Sequence, residues 1–184
     1  TTPDREADLV ATYDDSASLP KKVLIKNLTT PGAIMCIAED NKSSGTDGGT
    51  LTDDADNIRV INTLVYNRNS FASISSNRLT LPTGTWEVAW ESIAGGDADN
   101  GFHQSFLYNV TDAAEVKRGT SGEYNATSGE SKNVSSSGCT VVTIAASKAF
   151  EIRHRANYTG NTMRGGNASS FGTEVYLRIV VRAA

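Results

Sequence analysis

Apolar and polar residues alternate with period two along most of this chain. In 173–182, Val175, Leu177, Ile179 and Val181 fall on one face and Glu174, Arg178 and Arg182 on the other. In 85–93, Trp86, Val88 and Trp90 oppose Glu87 and Glu91. Such alternation marks half-buried β-strands, because successive side chains point to opposite sides of a sheet. Further short strands are predicted at 23–25, 33–38, 58–66, 71–74, 78–81, 102–110, 139–145 and 148–156. Phe102, Phe106 and Tyr108 share one face of their strand. Pro82-Thr-Gly84 and Ala146-Ser147 read as turns. No long 3.6-residue periodicity and no repeat intervenes. About ten short strands with Gly/Asn/Ser turns predict an all-β sandwich or barrel.

Three stretches read as loops: 40–56, 94–101 and 157–170, all rich in Gly, Ser, Asn or Asp. The stretch 119–138 reads as mostly surface loop with one short strand. Residues 1–30 form a polar N-terminal arm, and 31–184 form the folded domain. Tyr176 and Val180 oppose the core set on the last strand, and Ile61 and Val65 do so on 58–66. A strand apolar on both sides needs cover on both. Another subunit or the folded-back arm would supply it, and the subunit is favoured.

With 184 residues the chain can bury one ordinary core. Lys and Arg number 17 against 21 acidic residues, a net charge of −4. No basic cluster interleaved with aromatics appears, which argues against nucleic acid as partner. The apolar runs are far shorter than the ~20 residues of a membrane span, so no membrane insertion is expected. The polar, acidic 1–9 does not resemble a secretory leader. Synthesis in a cytoplasm is expected. Cys36 and Cys139 are expected to be two buried, reduced thiols. The sequons at Asn27, Asn41, Asn109, Asn125, Asn133, Asn157 and Asn167 follow from composition.

The candidate chemistry is sparse. Asp97, Asp99 and Asn100, or Asp53, Asp54 and Asp56, supply oxygen ligands of the kind calcium takes. Neither group completes a calcium loop, so no metal or other cofactor is expected. His103 and His154 are expected to be packed and hydrogen-bonded. Glu87 and Glu91 share a strand face, but such carboxylate pairs are common on surface strands. No nucleophile motif accompanies them, and no enzymatic activity is expected. The loops supply the contact surface: Asp97, Asp99, Asn100, Tyr158, Asn161 and Arg164 are the candidate receptor-binding residues. Aromatic faces stack on sugars, and Asn, Asp and Arg give directional hydrogen bonds, which suits a host-surface glycan or protein.

Several motifs in order carry a resemblance. Ser44-Gly-Thr-Asp-Gly-Gly-Thr50, Arg59 with Asn62-Thr63, and Leu79-Thr-Leu-Pro-Thr-Gly-Thr85 come first. Leu107-Tyr-Asn-Val-Thr-Asp112, Gly119-Thr-Ser-Gly-Glu-Tyr124, Phe150-Glu-Ile-Arg-His154 and Phe171-Gly-Thr-Glu-Val-Tyr176 follow. Together, over residues 33–182, they resemble the C1q-like/TNF-like jelly-roll module of phage tail fibres and related virion proteins. Ser92-Ile-Ala-Gly-Gly96 departs from the family's Ala-Pro pair, and the arm lies outside the match. The resemblance implies a ten-stranded jelly-roll sandwich, a homotrimer around a three-fold axis, and a place in the virion at the end of a fibre or spike. In that jelly roll the strands of Cys36 and Cys139 are not neighbours. The alternative is a capsid decoration (cement or head fibre) protein that reaches other virion proteins through its arm.

Overall fold

The computed structural model describes residues 9–12, 21–24, 31–125 and 132–184, with side chains at 31–96, 101–123, 132–160 and 162–184. The chain divides between Pro31 and Gly32. In the N-terminal unit β1 (Leu9–Thr12) pairs antiparallel with β2 (Lys21–Leu24), Val10 opposite Val23. The rest of the predicted arm lies outside the described residues.

The second unit holds β3 (Ile34–Lys42), β4 (Ala55–Ile58), β5 (Thr63–Asn67), β6 (Ser73–Ser75) and β7 (Arg78–Leu81). Then come β8 (Gly84–Asn109), β9 (Ala114–Asn125), β10 (Lys132–Ile144), β11 (Lys148–Arg164) and β12 (Glu174–Ala183). All ten belong to one hydrogen-bonded sheet, which β8 folds into two layers. Its first half pairs with β12 and β10, and its second half with β11 and β9. The first layer therefore runs β5-β3-β12-β8-β10. In the second, β9-β8-β11 is extended by β4 and β7 along the far edge of β11. This is the jelly-roll sandwich implied by the resemblance.

The core lies between the layers. Cys36, Ala38, Val88, Trp90, Ile179 and Val181 come from the first, and Leu79, Leu81, Leu107, Phe150 and Ile152 from the second. A smaller cluster of Leu51, Ala94, Ala156 and Met163 fills one end. The inward faces predicted for 85–93 and for Leu177, Ile179 and Val181 are those observed; a bulge in β12 between Val175 and Leu177 leaves Val175 at a surface cleft and buries Glu174 instead.

Four expectations need correction. The predicted strand 58–66 is two strands in different layers. Between them the chain crosses the sandwich: Arg59 N–H donates to Ile152 O at 2.9 Å, and Asn62 N–H to Glu39 O at 3.0 Å. The stretch 119–138 enters two strands, β9 and β10. Two of its glycines looked like loop residues but sit where the opposite side chain leaves no room for Cβ. Gly138 faces the Trp90 indole and Gly122 the His103 ring. Segment 94–101 is likewise strand, as is 157–164. Cys139 is exposed, because the alternation of β10 turns Gly138 inward and Cys139 out; both cysteines are free. Cys36 is buried, which pushes its thiol up to about 12.

Candidate functional site

The outward face of the first layer carries one apolar row. Ladder register sets Tyr66, Ile37, Val180, Ala89 and Cys139 side by side across five strands. A bulge in β5 turns Tyr66 outward, where it is 44% exposed, and leaves Val65 54% exposed. Val141, one row away on β10, is 58% exposed. The charged side chains on either side of the row are matched within the chain. Arg178 Nε lies 2.6 Å from Glu39 Oε1, and Arg182 Nη1 lies 2.7 Å from Glu87 Oε1. Ser135 Oγ donates to Glu91 Oε1 at 2.8 Å. Glu87 and Glu91 are thus part of this face.

Only part of the apolar second face needs a partner. Ile61 is buried in the core. Tyr176 follows a bulge in β12 and is covered from within the chain, stacked against Gly48 and Gly166, with its hydroxyl donating to Thr46 O at 2.8 Å. Beside it a cleft of about 110 Å³ opens, lined by Glu91, Ile93, Val175, Tyr176, Leu177 and Arg178.

The candidate contact segments meet at one end of the sandwich. They are paired strands: Ala98 lies opposite Gly160, Asn100 opposite Thr159, and Gly95 opposite Arg164. The side chains of Asp97, Asp99, Asn100 and Asn161 lie outside the described residues. Tyr158 and Arg164 are not free loop residues. Tyr158 is half-buried against the small cluster, donates its hydroxyl to Leu51 O at 3.0 Å and donates its N–H to Asp53 Oδ1 at 2.9 Å. Arg164 Nε lies 3.4 Å from Asp47 Oδ2. Asp54 and Asp56 pair with Arg155 at 2.9 and 3.1 Å. Those carboxylates are spent on an arginine rather than arranged around a cation.

Sequence reasoning missed the clamps that shape this end. The Asn133 side chain clamps the Asn167 backbone: its Nδ2 donates to Asn167 O at 3.0 Å and its Oδ1 accepts from Asn167 N–H at 2.8 Å, while Asn167 Nδ2 donates to Lys132 O at 3.2 Å. Glu174 accepts from the N–H groups of Ser170 (2.7 Å), Ser169 (3.1 Å) and Gly45 (3.2 Å), and from Ser169 Oγ (3.0 Å). These bonds, the Ser169 N–H foremost, hold its carboxyl below the ordinary value. Asn133 and Asn167 lie 34 residues apart and Gly45 lies 129 from Glu174, so those partners could not be read from sequence; only Ser169 and Ser170 are local to Glu174.

A polar layer separates the main core from the small cluster. His103 Nδ1 and His154 Nε2 are 2.7 Å apart, and His154 Nδ1 is 3.2 Å from Ser92 Oγ. Both imidazoles are buried, as expected. Trp90 Nε1 donates to Ser105 Oγ at 2.9 Å, and Ser105 Oγ lies 2.8 Å from Ser136 Oγ. Arg59, also buried, donates to Gly165 O at 2.7 Å. Burial first, and its positive charge second, push His103 down to about 4. Burial, Arg59 and His103 hold His154 well below its ordinary value.

No family model matches the chain, and no curated protein does. Among solved structures it is similar to murine APRIL at pH 8.5, with 11% identity and a TM-score of 0.47 over 81% of this chain and 98% of that one. It is similar to the Eiger TNF of S. frugiperda, with 11% identity and a TM-score of 0.47 over 84% and 94%. A third is the globular domain of the zebrafish complement 1qA protein, with 11% identity and a TM-score of 0.41 over 81% and 96%. Among the described residues no helix is long and apolar enough to cross a membrane.

Proposed function

We propose that this chain is a non-enzymatic virion protein, a homotrimeric jelly-roll head of a tail fibre or spike that binds a host-surface glycan or protein. The observation that carries assembly is the apolar row Tyr66, Ile37, Val180, Ala89 and Cys139. A second copy is the fitting occupant. The flanking charges are already paired within the chain, so burying them strands no carboxylate or guanidinium. The virion setting rests on the ordered motifs of the sequence. The end bearing 95–101 and 158–164 is the contact surface, with Asp97, Asp99, Asn100, Tyr158, Asn161 and Arg164 as its candidate residues.

Light scattering coupled to size exclusion should give about three times the 19.5 kDa chain mass. Val180→Arg should give folded monomers, since an unpaired cation in a desolvated interface is strongly unfavourable. Wild-type monomers at micromolar concentration would refute the assembly. Purified trimer should compete with whole virus for host cells; its failure to compete would refute the receptor role. The separate N-terminal unit favours the capsid decoration reading as the second possibility. That reading expects capsids to lose stability when residues 1–30 are removed, with adsorption unchanged.

A further inference from the structure

We propose that the His103–His154 pair makes one end of the sandwich an acid-responsive element, closed while the imidazoles are neutral and opened locally when they take up protons. The pair bridges two adjacent strands of the second layer, since His103 is on β8 and His154 on β11. Its position is what gives protonation a local effect. Stepping along β11, Ile152 belongs to the main core, His154 to the polar layer and Ala156 to the small cluster. On β8 the same order runs Trp90, Ser92, Ala94. Among the described residues the small cluster beyond the layer has Leu51, Ala94, Ala156 and Met163 as its buried members, with Val134 and Tyr158 packed on it. Regions with little buried apolar contact open at lower free energy than the whole fold.

The proton count shows why the pair responds to acid. At 2.7 Å one nitrogen of the contact carries hydrogen and the other a lone pair. A first added proton can leave that N–H···N bond in place, but it creates a buried cation. A second puts hydrogen on both nitrogens of the contact, and the bond is lost. The groups facing the pair do not offset the charge. Ser92, from the first half of β8, is neutral. Gly122, from β9, lies against His103 Nε2, which meets no hydrogen-bond partner among the described residues. Arg59, from the crossing segment, is a cation that disfavours a second one. The buried carboxyl of Asp40, from β3, has its Oδ1 3.2 Å from Lys42 Nζ. Burial raises its value first, and Lys42 and Arg59 only partly oppose that, so it too tends to lose its charge as pH falls and does not offset an imidazolium.

The sign follows from linkage. A histidine whose folded value is depressed is neutral in the closed form and protonated in the open one. Between its ordinary value near 6.5 and its folded value, each pH unit lowered favours opening about tenfold per histidine. For His103 this window runs from about 6.5 down to about 4. The end that opens carries the paired segments 95–101 and 158–164, so acid would loosen the surface proposed above for contact. That consequence rests on the proposed function; the switch itself does not.

The test uses the whole 184-residue chain. Hydrogen exchange, corrected for intrinsic rates, is followed from pH 7.5 to 4.5, the span in which the linkage acts. Protection at 93–96 and 156–163 should fall at least tenfold more than at 86–90 and 177–181. Imidazole NMR should show neither histidine titrating near its ordinary value. His103→Gln should flatten the exchange response. Equal loss of protection everywhere, or two imidazoles titrating near 6.5 with protection unchanged, would overturn the proposal. If the variant does not fold, the wild-type exchange and titration still decide. Failure of receptor competition with the exchange response intact would count against the proposed function and not against the switch.

Discussion

Gly138→Ala tests the way this sandwich packs its large side chains over glycines. Gly138 lies opposite Trp90 in the β10–β8 ladder. A methyl there would stand 2.2 Å from Trp90 Cζ2 and 2.4 Å from Cη2. Carbon contacts are comfortable at about 3.5–4.0 Å, so the indole must move by more than an ångström. It is not free to do so, because Nε1 donates to Ser105 Oγ at 2.9 Å and the ring is 3% exposed. Overpacking of this kind costs about 1–3 kcal/mol. Losing the indole hydrogen bond adds about 1 kcal/mol. Replacing a strand glycine returns about 0.5–1 kcal/mol of backbone entropy. The net loss is then about 2 kcal/mol. For a chain of this size that lowers the melting temperature by about 4–8 °C. Urea unfolding followed by tryptophan emission should show a lower midpoint at unchanged slope, and a changed emission from the displaced indole. In a Trp90→Phe background the methyl should cost at least 1 kcal/mol less, as expected for residues in contact. An unchanged midpoint, or the same loss in both backgrounds, would refute the packing argument.

Other outcomes follow from the same geometry. Denatured, unreduced protein should release both thiols; in native protein Cys36 should stay unreactive, while Cys139 should react in Val180→Arg monomers and be shielded in the assembled wild type. Glu174→Gln should speed amide exchange at Gly45, Ser169 and Ser170, because a carboxylate accepting from all three is replaced by a neutral amide. Since the Glu174 carboxyl is held below its ordinary value, its contribution is present above that value and lost as pH falls through the folded one; exchange at those amides that ignores both the substitution and acid would refute this. Tyr158→Phe should cost about 1 kcal/mol in urea unfolding through loss of the bond to Leu51 O, whereas a freely exposed tyrosine would leave the midpoint unchanged.

The strand faces were legible because burial on one side writes itself as alternation. Trp86, Val88 and Trp90 point inward, as do Leu177, Ile179 and Val181. What misled was composition. Gly119, Gly122 and Gly138 read as loop, yet each is a strand position where an opposing group excludes Cβ. The large residue that demands the small one lies on another strand, so no local pattern announces it. The same holds for the contact segments. Their Gly and Asn content suggested two separate loops, whereas register makes them neighbouring strands. Tyr158 was read as a contact residue in a loop, whereas it lies in β11 and packs on the small cluster. Its anchoring to Leu51 and Asp53, more than a hundred residues earlier, could not be read from the chain. The buried histidines were anticipated as packed, but their mutual bond depends on β8 and β11 being neighbours.

The two outward faces of the sandwich are built for different surroundings. On the first layer the apolar row is continuous across five strands, and its flanking charges close on themselves. That combination tolerates loss of water. The second layer carries aromatics too, but arginines cover them: Arg118 lies 5.1 Å from the Phe106 ring centroid and Arg153 3.4 Å from that of Tyr108. Glu151 is held between Arg78 and Arg153, and Arg155 between Asp54 and Asp56. Guanidinium groups that pack their planes on rings and their edges on carboxylates keep a face hydrated while hiding its apolar area. The proposed assembly through the first layer would therefore leave the second layer and the end of the sandwich in water. An external partner must meet one of these two. On the second layer Phe102 is the open ring, 59% exposed, and it lies directly opposite Asn157, the residue before Tyr158. Alternation puts Phe102 and Asn157 on the outward side of the second layer while Tyr158 turns the other way onto the small cluster, so the exposed ring borders the candidate end on the side away from the apolar row proposed for self-association.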